Sequence, residues 1–188
     1  MKWVIGVSGA SGAAYAKRLL AFLAERAEED RTLRVEMVAS TNGRAIYRDE
    51  TGAPLEDWPF RLYSKDDFRA PFASGSAPYD GMAVVPCSGG TLGRIASGAS
   101  EDLITRAAEV MLKERRKLLL VFRESPLSLV HIENMASVTR AGGTVLLGAP
   151  VFYSGAKTKE DLVDTVVARV LDHMGIPHTL MPPWGGGE

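Results

Sequence analysis

Cysteine is almost absent from this sequence: Cys87 stands alone among 188 residues. A lone thiol cannot close an intrachain disulfide, which points to a reducing compartment, the cytoplasm. An excess of one charge is lacking too. The 22 Lys and Arg nearly balance 23 Asp and Glu, leaving a formal net charge of −1. That balance supplies no overall positive field to draw the chain to nucleic acid or a membrane surface. Long hydrophobic runs are missing, and the apolar opening meets glycine too soon for a signal-peptide core or a membrane span. Histidine is scarce, and none occurs before His131. Cys87 therefore has no base nearby in sequence to make it a nucleophile, and it reads as a small buried neighbour of a site. No internal repeat and no composition break divides the chain, so residues 1–188 read as a single domain.

What is present is a repeated alternation of short apolar runs with helical periodicity. Trp3 to Val7, Leu33 to Ala39, Met82 to Val85, Leu118 to Phe122 and Thr144 to Leu147 read as strands. They lack sustained apolar/polar alternation, as strands covered on both faces should. Tyr15, Leu19, Leu20 and Leu23 mark one helix face. Leu103, Ala107, Val110 and Met111 mark a second, and Leu162, Val166, Val170 and Leu171 a third. Ser100 before Glu101 and Asp102 predicts a helix start, Thr158 with Asp161 a capping box, and Gly175 followed by Pro177 a helix stop. The pattern predicts an α/β fold: a three-layer α/β/α, Rossmann-like (flavodoxin-like), mainly parallel sheet. The polar stretch from Thr51 to Tyr79 reads as a surface excursion with room for a short extra strand, and the tail from Met181 as irregular.

In such sheets ligands gather beyond the carboxyl ends of the strands, so the loops there carry the functional signal. The first is Ser8-Gly9-Ala10-Ser11-Gly12, whose small residues let backbone N–H groups and a helix N-terminus close on a phosphate. It is neither a dinucleotide GxGxxG nor a lysine-bearing P-loop. Ser40-Thr41-Asn42 either caps the next helix, the better reading by itself, or contacts a ligand, and Glu50 reads by default as a solvated helix-end carboxylate. Pro86-Cys87-Ser88-Gly89-Gly90-Thr91 suits a planar ring or a phosphate. Arg123-Glu124-Ser125-Pro126-Leu127 places a charged pair at the end of a buried strand, costly unless the charges are paired or meet a ligand. Arg106 and Lys113, seven apart, fall near one helix face, and with Arg123 they offer cations for a phosphate. Arg115, Arg116 and Lys117 read as a solvated helix end. Tyr153 and the later Arg169 grip another phosphate or simply form a structural hydrogen bond.

GASG, then PCS-x-x-T-L, then TRAAEVMLKERRKL, then REsPL and a late FY occur here in one order across residues 3 to 175. In this the chain resembles the UbiX-type flavin prenyltransferases. The resemblance implies an enzyme that joins dimethylallyl phosphate to reduced FMN without a metal, at flavin N5 and C6. The product would serve a UbiD-type decarboxylase. It implies FMN held by Gly9, Ala10, Ser11, Ser40, Ser88, Gly89, Gly90, Thr91 and Arg123. Arg106, Lys113, Arg123, Glu124, Tyr153 and Arg169 would surround the donor phosphate. Glu124, Ser11, Glu50 and Lys113 become the catalytic candidates, and Trp184 an aromatic partner of the allyl cation. Family sites lie between subunits, commonly of dodecamers. One departure stands out: the family commonly has PCSMKT, whereas this chain has PCSGGT and so lacks a cation near the flavin.

Two other classes share parts of this pattern. FMN-dependent cysteine decarboxylases have a related fold but rely on an early histidine and a PASANT-like loop, both absent here. A flavin carrier would need the glycine loops but not the Arg106, Lys113, Arg123, Glu124, Tyr153 and Arg169 set.

Overall fold

The computed structural model describes residues 1–181; the remaining tail, with Trp184, lies outside the described residues. In chain order the strands are β1 (Lys2–Val7), β2 (Arg34–Ala39), β3 (Arg61–Tyr63), β4 (Gly81–Cys87), β5 (Lys117–Phe122) and β6 (Thr144–Leu147). The helices are α1 (Ala13–Glu29), α2 (Thr41–Thr51), α3 (Gly89–Ser97), α4 (Leu103–Lys113), α5 (Leu129–Arg140) and α6 (Lys159–Met174). The strands form one parallel sheet in the order β3-β2-β1-β4-β5-β6. This is the doubly wound Rossmann order, in which the winding reverses between β1 and β4 and a crevice opens at that switch point.

The unbroken apolar runs have a simple cause. Trp3, Ile5 and Val7 of β1 enter a core shared with α1, α2 and α6, while Val4 enters the opposite core with α3 and α4. Leu119 and Val121 of β5 go to the first core, Leu118, Leu120 and Phe122 to the second. Both faces of each central strand are therefore apolar. In α1 the i, i+3, i+4 spacing puts Leu19, Leu20 and Leu23 fully inside, each contributing roughly 1.5–3 kcal/mol of burial. No helix among the described residues is long and apolar enough to cross a membrane.

Three expectations need correction. The stretch from Thr51 to Tyr79 carries the short extra strand expected of it, β3, with one-turn helices at Leu55–Asp57 and Pro71–Ala73, but it is not all surface. Phe72 is 0% exposed, edge-on to Tyr63 at 5.1 Å and Tyr79 at 5.8 Å. Its aromatics follow no regular period, and Tyr63, Phe72 and Tyr79 lie nine and seven residues apart, so only tertiary packing brings them together. The cap of α4 is Asp102, whose carboxylate accepts the Thr105 N–H at 2.9 Å while Thr105 closes the box. Ser100 instead bonds the Glu109 carboxylate. Finally, the run after Lys113 is only partly a solvated helix end: Arg115 and Lys117 are exposed, but the other contacts are structural. Arg116 donates to the carbonyls of Gly75 and Ala77, both at 2.7 Å, and Lys117 opens β5. The Thr158–Asp161 capping box and the left-handed Gly175 stop form as the sequence predicts.

Candidate functional site

The carboxyl ends of β1, β2, β4 and β5 converge on one rim, and each expected loop sits there. Ser8, 1% exposed, stitches the two sides of the switch point: its hydroxyl donates to the Pro86 carbonyl at 2.9 Å and accepts the Ser88 N–H at 2.8 Å. The loop carrying Gly9, Ala10 and Ser11 is thereby bound to the loop carrying Ser88. Gly12 follows at φ 113°, a left-handed conformation that glycine adopts without a Cβ penalty.

Glu50 departs from the default expectation. It lies in the last turn of α2, yet its carboxylate turns to α1 and accepts the N–H groups of Gly12 at 3.0 Å and Ala13 at 2.8 Å. The neighbouring Ser11 hydroxyl also favours its ionised form. Burial raises its pKa, but these hydrogen bonds and the Arg123 charge outweigh that effect, leaving its carboxyl below the ordinary value. Ser11, Glu50 and Arg123 are thus gathered at the start of α1, where the helix dipole also favours negative charge.

Arg123 and Glu124 rise from the head of β5 and diverge. The Arg123 side chain lies over Gly12 and Gly148, and its charge lowers the pKa of Tyr15 against the stronger upward effect of burial. Glu124 leans the other way: a Cβ built at Gly89 would lie 3.4 Å from its Oε2 and 2.9 Å from His131 Nε2. His131 Nδ1 accepts the Ser128 N–H at 3.2 Å, so a neutral ring carries its proton on Nε2, toward Gly89 and Glu124. Cys87 is fully buried beneath this loop, and burial pushes its thiol pKa up to about 12 against the pull of Arg94. That excludes a resting thiolate nucleophile.

Beside the switch point lies a cleft of about 420 Å³. Gly9, Ser40, Thr41, Ser88, Gly90 and Thr91 line it together with Asn42, Lys65, Arg94 and two carboxylates. Ser40 caps α2 and Ser88 caps α3, so two helix N-termini open on one space. Gly43 lets α2 approach β1: a Cβ there would lie 2.3 Å from the Val7 carbonyl oxygen.

The remaining candidates are not brought together within one chain. Lys113 is at the foot of β5, paired with Glu114 beside Gly75. From Lys117 to Arg123 is about 20 Å of strand. Arg106 donates to the Ala73 carbonyl at 3.0 Å and to Glu109 at 2.9 Å. Arg169 lies in the opposite layer, about 15 Å down α6, paired with Asp172 at 2.6 Å. Tyr153 is 62% exposed on the segment between β6 and α6. Arg94, Lys65 and His131 join the rim without having been offered as site residues by the sequence. Helical i, i+4 spacing from Gly90 is the signal that finds Arg94; nothing local marks Lys65.

Hydroxyl-rich glycine loops and paired helix N-termini at a Rossmann switch point define an α/β protein built to bind a phosphate-bearing cofactor. Residues 1–171 match the model of the Flavoprotein family. Flavin prenyltransferase UbiX of Halalkalibacterium halodurans is 41% identical, over 97% of this chain and 93% of that protein. A UbiX enzyme (PadA1) solved in complex with FMN and dimethylallyl pyrophosphate superposes with a TM-score of 0.91 at 39% identity, covering 100% of this chain and 98% of the other. A dodecameric FMN-dependent UbiX-like decarboxylase from Escherichia coli O157:H7 gives 0.92 at 39% identity, covering 99% and 100%. The chain belongs to the UbiX family of flavin prenyltransferases.

Proposed function

We propose that this protein is a flavin prenyltransferase, joining the dimethylallyl group of dimethylallyl phosphate to N5 and C6 of reduced FMN. The observation that carries this reading is the Ser11–Glu50–Arg123–Glu124 rim. It sets a cation and two carboxylates beside a cofactor cleft at the switch point, in a chain close to a relative crystallised with FMN and an allylic pyrophosphate. The cleft suits FMN: small residues for close approach, hydroxyls and helix N-termini for a phosphate. When bound, reduced FMN supplies the electron-rich ring that the allyl group joins.

The chain's own residues then have distinct tasks. Breaking the allylic C–O bond leaves a phosphate dianion, and the Arg123 guanidinium offers charge and paired donors to it. Glu124 takes or returns a proton at that phosphate. The Ser11 hydroxyl, beside the Glu50 carboxylate, is the second group placed to relay a proton through that phosphate. Arg106, Lys113, Tyr153 and Arg169 complete the clamp from neighbouring copies. Their separation across both layers of one chain supports a site shared between subunits, in a dodecamer. No diphosphate-binding Asp cluster is present in the sequence, which favours a monophosphate donor. The product passes to a UbiD-type decarboxylase in the cytoplasm. The cysteine-decarboxylase reading lacks its histidine, because the first one here is His131.

Anaerobic incubation with reduced FMN and either dimethylallyl phosphate or pyrophosphate, followed by mass analysis of released flavin, tests this. A gain of one C5 unit is expected. Lys113→Ala and Glu124→Gln should each abolish that gain with FMN still bound. Unmodified FMN from active-site-saturated wild-type protein, with both donors, overturns the proposal.

A further inference from the structure

We propose that Arg94 holds the phosphate of FMN in this protein, supplying from α3 the positive charge that position 90 does not. This rests on the flavin reading above and assigns one end of the cleft.

Arg94 lies one turn after Gly90 on α3, so its side chain folds back over the start of the helix. Its Nη1 lies 3.6 Å from the point a Gly90 Cβ would occupy, and its Nη2 is 3.5 Å from the Thr91 hydroxyl. Among the described residues no carboxylate pairs with it. A guanidinium in a cleft without an acidic partner is a binding group in waiting. Apart from the carboxylates of Glu101, which is exposed to solvent, and Asp102, the features of that space favour the same ligand. The N-termini of α2 and α3 both open on it, with the hydroxyls of Ser40, Thr41, Ser88 and Thr91 around them. Hydroxyls, aligned N–H groups and a guanidinium form a receptor for a tetrahedral dianion rather than a flat ring. Asp102 also borders the cleft, but its carboxylate is occupied by the Thr105 N–H and hydroxyl at the start of α4.

The absence of a side chain at Gly90 makes this inference testable by moving the charge. A Cβ there meets nothing closer than Arg94 itself, so a lysine fits once Arg94 is shortened. The measurements are dissociation constants for FMN and for riboflavin, which lacks the phosphate, on the full-length protein, with thermal melting as a check of folding. Arg94→Ala, and Arg94→Gln as the variant that keeps donors without charge, should weaken FMN about 10- to 100-fold. Riboflavin should change less than about threefold. Gly90→Lys combined with Arg94→Ala should recover most of the FMN affinity.

Equal loss for FMN and riboflavin would make Arg94 a structural residue and overturn the proposal. So would unchanged FMN affinity, or failure of the lysine to rescue. A loss confined to reduced flavin would place the charge at the ring and overturn it as well. Wild-type protein that bound neither flavin would instead sink the flavin reading on which this rests.

Discussion

Replacing Gly43 by alanine puts a methyl group where the backbone of β1 already lies. The new Cβ would stand 2.3 Å from the Val7 carbonyl oxygen, about 1 Å short of a normal C···O contact. Neither atom belongs to a flexible side chain, so α2 or the end of β1 must move. Overpacking of this kind costs about 1–3 kcal/mol. The same carbonyl accepts the Ser40 N–H at 3.0 Å, and stretching that bond adds about 1 kcal/mol. Alanine's better helix propensity returns at most about 1 kcal/mol. The clash wins, with a net loss near 2 kcal/mol that lowers Tm by about 4–8 °C. Because the displaced end of α2 carries Ser40, Thr41 and Asn42, FMN affinity should fall with stability. Gly52→Ala is the control. At φ 73° with nothing within 4 Å, it costs about 1–2 kcal/mol through backbone conformation alone and should leave FMN affinity unchanged. Thermal melts and flavin titrations on both variants decide the matter. A Gly43→Ala protein with wild-type Tm and wild-type FMN affinity would refute the close-approach reasoning.

Two other perturbations follow from the site. Glu50 has a folded pKa below its ordinary value, so its stabilising contribution is complete above its unfolded pKa, near about 4.3, and is lost as pH falls through the lower folded value. Urea unfolding should show Glu50→Gln less stable than wild type by about 0.5–1 kcal/mol at pH 7, discounted for exposure, with the gap closing toward pH 3. A gap that widened in acid would reverse the sign and contradict the hydrogen-bond assignment. Cys87, with its thiol pKa near 12, should resist iodoacetamide at pH 8 in the folded protein and react only after denaturation. Rapid labelling of the native protein would show that the loop above it opens.

Much of this was legible in linear order because its causes are local. The apolar runs at Trp3–Val7 and Leu118–Phe122 are strands because each residue meets one of two cores, and that shows as hydrophobicity without alternation. The Thr158–Asp161 box and the Gly175 stop are decided within a single helical turn. The loops with Gly9, Ser40, Ser88 and Arg123 were legible for a related reason: in a parallel sheet, chain order alone sends every strand's end to the same rim. What local pattern could not show is which side chains cross between elements. Glu50 reads as a helix-end carboxylate, and only the packing of α2 beside α1 turns it onto Gly12 and Ala13. Phe72 reads as part of a polar excursion, yet Tyr63 and Tyr79, nine residues before it and seven after, enclose it. Arg106, Lys113 and Arg169 look like one set in the sequence, but tertiary structure sends them to opposite layers and to the far end of the sheet. The reason is geometric: composition and period govern each element by itself, whereas the meeting of distant residues depends on how those elements are stacked.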